Sequence, residues 1–168
     1  MGTAIGELLV KEEITLDFLK GKRVGVDTYN ILYQFLSSIR SYDGTPLMDS
    51  HGNVTSHLTG LLYRTVNLLE KDIQPVFVFD GTPHKLKKET LEARKKIRTE
   101  ATVKHEAALK EGNLEEAKKF GARSLHLTQD MVMEAKKLLE AMGLPIVQAP
   151  SEGEAQVAVM TQKGQLFG

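Results

Sequence analysis

Val76-Phe77-Val78-Phe79-Asp80-Gly81 is a run of four large apolar residues closed by a carboxylate and a glycine. No polar residue alternates within it, so both faces are expected to be buried, as in the centre of a parallel sheet. Two other stretches share the design. Val24-Gly25-Val26-Asp27 also ends on an acid, and an apolar strand from Leu144 to Val147 leads into Pro150-Ser151-Glu152-Gly153-Glu154-Ala155. Short apolar strands alternating with helical segments specify an α/β fold, with a mainly parallel central sheet flanked by helices. Sheets of this kind bind ligands outside the carboxyl ends of their strands. Asp27, Asp80, Glu152 and Glu154 all fall at that edge.

Two carboxylates about 4 Å apart at an effective dielectric near 20 repel by roughly 4 kcal/mol. Four acids gathered at one edge therefore need a cation or must take up protons. An all-oxygen ligand set favours magnesium, manganese or calcium over zinc or copper. A second reading applies to part of the set, because Ser151-Glu152-Gly153-Glu154 also fits the S-x-x-E capping box of a helix start. Capping and metal binding are compatible, and Glu154 can serve both.

The chain has 168 residues and 41% hydrophobic composition, enough for one domain with a sizeable core and too short for two comfortable ones. Its 22 basic and 22 acidic side chains cancel, so any nucleic-acid partner has to be read from the distribution of charge. There is no cysteine, which excludes disulfides and thiolate metal sites and suits an intracellular setting. No apolar run reaches membrane-spanning length, and the N-terminus lacks a signal-peptide pattern.

Between the strands, Ile5 to Leu19 is expected to pack irregularly, with a helical turn before Gly21. Leu32, Phe35, Leu36 and Ile39 recur at helical spacing within an Asn30 to Arg40 helix, leaving Tyr33 on the opposite face. Pro46 to Thr55 reads as a small hairpin. Ser56 is placed to cap the next helix, whose apolar stripe is Leu58, Leu61, Leu62, Thr65, Leu68 and Leu69, with Arg64 off the stripe. His51 and His57 have no partner at ligand spacing and read as solvated or capping residues. Thr128 caps a helix through Met142 that Gly143 ends, and Ala155 to Thr161 forms the last one.

The charge is not evenly spread. From Lys85 to Lys104 there are eight Lys or Arg against three Glu, an excess of five positive charges in an otherwise neutral chain. Lys87, Leu91, Arg94 and Arg98 share one side of a helix there. Such a run is a solvated face or a phosphate-binding one. Beside acids and a divalent ion it suits a phosphodiester, with Lys and Arg neutralising the backbone. A second polar helix through Arg123 completes an exposed projection whose tip falls near Gly112-Asn113.

Several blocks in order resemble one family, the flap endonucleases of archaea and eukaryotes within the structure-specific 5′ nucleases. They are Tyr33-Gln34-Phe35-Leu36, Asp43-Gly44-Thr45-Pro46-Leu47, Thr55-Ser56-His57-Leu58, Tyr63-Arg64-Thr65, Pro75 through Gly81, and Ala149 through Ala155. The resemblance implies a 5′ nuclease or PIN-like fold over residues 1–168, with a helical arch inserted at about 83–127. It implies that Asp27, Asp80, Glu152 and Glu154 hold magnesium, with manganese as a substitute, and that Lys87 and Arg94 reach the scissile phosphate. Tyr33 would stack on a base beside the cut, Arg40, Arg64 and Arg98 would meet DNA, Thr55 would lie at a short 3′ flap, and Gly2 would approach the site. The implied activity is metal-dependent endonuclease and exonuclease hydrolysis of DNA bearing a 5′ flap, in replication and repair. The implied partner is the sliding clamp, in archaeal cytoplasm rather than a eukaryotic nucleus.

One departure is visible. Family members continue past the position of Gly164 with a strand ending in an Asp-x-Asp pair that holds a second metal, whereas here Gly164-Gln165 runs into Leu166-Phe167-Gly168. The expectation is a front portion without that pair, the later DNA-gripping helices or the clamp-binding tail, binding one ion and cutting weakly. The contrasting expectations are a catalytically silent nucleic-acid-binding fragment or paralogue, and a PIN-like ribonuclease. The arch and the Tyr33 block speak against the latter.

Overall fold

The computed structural model describes residues 13–42, 44–82, 88–124 and 126–168, with the backbone alone for 88–91, 94, 95, 114, 118, 122 and 123. Gly2 and Lys87 lie outside the described residues, as does the side chain of Arg94. The elements run β1 (Arg23–Asp27), α1 (Thr28–Ser38), α2 (Ser56–Glu70), β2 (Gln74–Phe79), α3 (Lys88–Lys110), α4 (Leu114–Arg123), α5 (Gln129–Ala141), β3 (Ile146–Gln148) and α6 (Gly153–Gln162). A 3-10 turn at Leu16–Leu19 precedes β1, as the sequence before Gly21 suggests.

All three strands are parallel in the order β1-β2-β3, with Val26 opposite Phe77 and Val78 opposite Val147. The apolar run of β2 is central and buried from Pro75 through Phe79, which is what its lack of alternation requires. Phe77 and Phe79 join Leu32, Phe35 and Leu36 of α1, Leu61 of α2 and Val132, Ala135 and Leu139 of α5 in one core. Removing the Phe77 ring is expected to cost roughly 3–5 kcal/mol. Urea unfolding of Phe77→Ala, with an unchanged m-value, checks this.

The third strand begins two residues later than the sequence suggests. Leu144 N–H turns back to Leu139 O at 3.0 Å as part of the α5 terminus, where Gly143 has φ +71°. Pro145 has no N–H to give, so pairing starts when its carbonyl accepts Phe77 N–H at 3.0 Å. Helix α1 likewise starts two residues early, because Asp27 itself caps it. It ends at Ser38, where the chain straightens for the Arg40–Pro46 bridge of the small hairpin, which closes with a Met48–Val54 bridge.

Helix α2 corrects three expectations. Ser56 is not its cap: Thr55 holds that position without a side-chain bond, while Ser56 Oγ donates to Ile39 O at 2.7 Å and accepts Leu47 N–H at 2.8 Å. One hydroxyl thus ties α2 to the end of α1 and the start of the hairpin. The expected leucine stripe is only half buried, since Leu62 and Leu69 are exposed and the buried line is His57, Gly60, Leu61 and Thr65. Gly60 sets that rotation, because a Cβ there would fall 2.3 Å from the Phe35 ring. His57 is fully buried rather than solvated, with Nε2 3.1 Å from Glu134 Oε2 of α5.

Burial pushes the His57 pKa below its ordinary 6.5, with Glu134 opposing. The unfolded chain therefore binds the proton more readily, and stability falls as pH drops from 6.5 through the folded value. The melting temperature is expected to be lower at pH 5 than at pH 7, and His57→Gln is expected to narrow that gap in a calorimetric scan.

Helices α3 and α4 pack on each other as a hairpin turned at Gly112, which has φ +69°, with the Asn113 side chain accepting Glu116 N–H at the start of α4. The chain end returns to the sheet. Phe167 N–H donates to Arg23 O and Gly168 O accepts Gly25 N–H, along the open edge of β1. Leu166 is buried there, and Lys22 Nζ sits over the rings of Phe18 and Phe167.

Candidate metal and phosphate site

The parallel register brings the carboxyl ends of β1, β2 and β3 to one edge. Asp27 closes β1 opposite Val78, two residues before Asp80. Its carboxylate accepts Asn30 N–H at 3.1 Å, which caps α1 and fixes the side chain over the edge. The exits of β2 and β3 are fastened more tightly. Ala149 N–H donates to Phe79 O at 2.8 Å, Gly81 N–H to Ser151 O, and Gln148 Nε2 to Asp80 O at 2.7 Å, while Ser151 Oγ donates to Thr82 O at 3.1 Å.

These bonds deliver Asp80 to the start of α6, where its Oδ1 accepts Gly153 N–H at 2.7 Å. Gly153 is buried, and a Cβ there would lie 2.9 Å from Asp80 Oδ1, so the glycine makes room for the carboxylate. The capping-box reading is thereby corrected. Glu152 holds the N-cap position without a side-chain cap bond, Ser151 turns to Thr82, and an aspartate from the neighbouring strand caps α6 instead. A negative side chain at that position also meets the positive end of the helix.

Electrostatics link the remaining acids. The Asp27 pKa is raised by burial, lowered by its bond to Asn30, and raised again by the charges of Glu154 and Glu152. The neighbouring Tyr29 is raised by burial and by Asp80. Asp27 thus feels the charges of Glu152 and Glu154 across the sheet edge, and Asp80 acts on the adjacent Tyr29. Among the described residues no three His, Asp or Glu side chains already stand together at metal-ligand spacing. Two of the carboxylates are instead held on backbone N–H donors. The donor set suits a hard divalent cation by its chemistry: oxygens only, with Asp27, Asp80 and Glu152 half-buried and Glu154 exposed.

The other predicted positions lie on α1, α2, α3 and the segments that flank α1 and α2. Tyr33 is 40% exposed on α1, on the face away from the core. Arg64 is exposed on α2, and Thr55 N–H donates to Leu47 O at 2.7 Å between hairpin and helix. Arg98 on α3 is half-buried, with Nη1 3.2 Å from His126 Nδ1. Arg40 is the most constrained: its guanidinium donates to Ser37 O at 3.0 Å, to Gly44 O, and to Gly121 O of α4 at 3.1 Å. It ties the helical hairpin to the body of the fold, and burial lowers its pKa.

Sequence reasoning passed over Gln148, Lys136 and Tyr29, which surround Asp80. Gln148 donates to its carbonyl, Lys136 Nζ donates to Gln148 Oε1 at 2.7 Å, and the Tyr29 ring meets Phe79 edge-on at 6.2 Å. The one signal available was Gln148 itself, a polar residue interrupting the apolar approach to Pro150.

Comparison with known proteins agrees with this geometry. Residues 4–101 match the model of the XPG N-terminal domain. Flap endonuclease 1 of Pyrococcus furiosus is 54% identical over 167 residues, covering 99% of this chain and 49% of the relative. That of Saccharolobus solfataricus is 57% identical over 155 residues, covering 92% and 44%. Among solved structures, flap endonuclease-1 from Methanococcus jannaschii aligns with a TM-score of 0.70 and 46% identity over 99% of this chain and 53% of that one. The catalytic core of Rad2 in complex with DNA substrate aligns with a TM-score of 0.63 and 33% identity, over 91% and 39%. The chain spans about half the length of the curated relatives it matches. With a parallel sheet that gathers acids at its carboxyl edge and a matching domain over more than half its residues, the chain belongs to the family of the XPG N-terminal domain.

Proposed function

We propose that this chain carries the metal-binding and phosphate-handling face of a DNA 5′ flap endonuclease, an α/β nuclease domain with α3 and α4 as its arch. The reading is supported chiefly by one observation: Asp80 is drawn to the start of α6 by Gly153 N–H, at the edge where Asp27 feels the charges of Glu154 and Glu152. Asp27, Asp80, Glu152 and Glu154 would hold magnesium or manganese, directly or through water. When bound, such an ion supplies a water of lowered pKa and positive charge for the phosphate.

The remaining work falls to the chain's own side chains. Lys87 and Arg94, from the start of the arch, stabilise charge that develops on the phosphate oxygens. Tyr33 stacks on a base next to the cut. Gly2, Arg40, Thr55, Arg64 and Arg98 contact the DNA. For Arg40, three of five guanidinium donors are spent on carbonyls of described residues. Products are a 5′-phosphate and a 3′-hydroxyl. In a full-length family member the partner is a sliding clamp.

Release of a labelled 5′ flap, dependent on magnesium and abolished by chelator, tests the reading. In a full-length version of the enzyme, Lys87→Ala is expected to slow single-turnover cutting about 100-fold or more while flap affinity changes little. A loss confined to affinity would remove Lys87 from the transition state. A second reading, nucleic-acid binding with little or no cleavage, is favoured because among the described residues no three acids or histidines stand at metal-ligand spacing. Retained flap binding with no metal-dependent product supports it.

A further inference from the structure

A cleft of about 590 Å3 opens beside Asp80, on the side facing α5. Its walls include Tyr29, Asp80, Thr82, Met133, Lys136 and Gln148, and it is open to solvent. None of these residues except Asp80 has a role in the function proposed above, on which this inference rests.

Among the described residues, Lys136 is the cation of the cleft. Its Nζ donates to Gln148 Oε1 at 2.7 Å and lies 4.9 Å from the centre of the Phe79 ring, so the stem is laid along the core and the ammonium is held at the sheet edge. Gln148 is itself locked, because its amide nitrogen donates to the carbonyls of Asp80 and Phe79. An ammonium has three donors, and Gln148 takes one. Opposite a phosphate the others gain a charge-assisted bond. Beside it Met133 is 54% exposed, a flexible, polarizable side chain suited to packing against a base. A positioned cation, an exposed thioether and an open cleft that Asp80 also lines are the parts of a subsite for one nucleotide of a passing strand.

We propose that this cleft is a subsite for single-stranded DNA, in which Lys136 contacts one phosphate and Met133 packs against the adjoining base. Lys136 is a positioning residue: it steers the strand along the edge toward the carboxylates and takes no part in bond breaking.

The test is fluorescence anisotropy of a labelled single-stranded oligonucleotide with the 168-residue chain, across a salt series. Lys136→Met keeps an unbranched stem over Phe79 and removes the charge together with the bond to Gln148. It is expected to weaken binding roughly two- to fivefold at low salt, and to lower the slope of log K against log salt by about 0.7, the value for one phosphate on a single strand. Lys136→Arg is expected to restore both. In the wild type, the oligonucleotide is expected to slow peroxide oxidation of Met133, read by mass spectrometry. Wild-type affinity and slope in Lys136→Met would overturn the subsite while leaving the nuclease reading intact, as would an affinity loss with no change of slope or an unprotected Met133. A wild-type chain that binds no DNA at all would overturn both.

Discussion

Asp80→Asn is expected to weaken divalent-cation binding at least tenfold while leaving the chain folded. The amide oxygen of asparagine can still accept Gly153 N–H, the bond that Asp80 Oδ1 makes at 2.7 Å, so α6 keeps its cap. What disappears is one negative charge at the point where β2, β3 and α6 meet. Hard cations bind through charge and oxygen count, and Asp80 is joined to the exit of β3 through Gln148 and to the start of α6 through Gly153. Titration calorimetry with manganese is expected to give measurable heat for the wild type and at least tenfold weaker binding for the variant. Asp80→Ala separates the two roles, because it also strands the Gly153 N–H and costs about a further 1 kcal/mol of stability. Equal heats for wild type and Asp80→Asn would remove Asp80 from the ligand set.

Gly81→Ala is expected to be the most damaging single methyl in the site. A Cβ at Gly81 would fall 2.3 Å from Ala149 O and 2.6 Å from the Pro150 carbonyl, both main-chain atoms that no rotamer change can move. Relief requires parting the exits of β2 and β3, which breaks Gly81 N–H to Ser151 O and carries Asp80 away from Gly153. Overpacking of this kind costs about 3 kcal/mol, a large share of the ~5–15 kcal/mol that holds a domain. Gly52→Ala is the control. It has φ +84° but nothing within 4 Å, so only backbone strain of about 1–2 kcal/mol applies. Urea unfolding ranks the two. If Gly81→Ala is no worse than Gly52→Ala, the strand exits are not fastened as described.

The fold was largely legible because its signals are strong and local. The apolar run through Phe79 reads as a central strand from composition alone, and Thr128 with Gly143 brackets α5 by cap chemistry. The failures occur where a tertiary contact overrides a local rule. Ser151 fits a capping box, yet Asp80 reaches Gly153 from the next strand and takes the role. The leucines of α2 form a helical stripe, yet Gly60 lets Phe35 approach closely and rotates the buried face toward His57 and Thr65. A histidine two residues past Thr55 carries no sign of being buried, because its partner Glu134 lies 77 positions away. The acids were visible as strand endings. Gln148 and Lys136 were not, since a lone glutamine and one lysine of a helix gain meaning only when the sheet brings them together.

The central claim is that carboxylates from separate strand ends share one hard cation. The most direct measurement is anomalous scattering from a crystal of this chain grown with manganese. The account predicts a single strong peak at the sheet edge, about 2.0–2.6 Å from carboxylate oxygens of at least Asp27 and Asp80, with Glu152 or Glu154 reached directly or through water. An intact fold whose manganese lies elsewhere, or whose acids stay on Asn30 and Gly153 N–H with no peak at saturating metal, would contradict it.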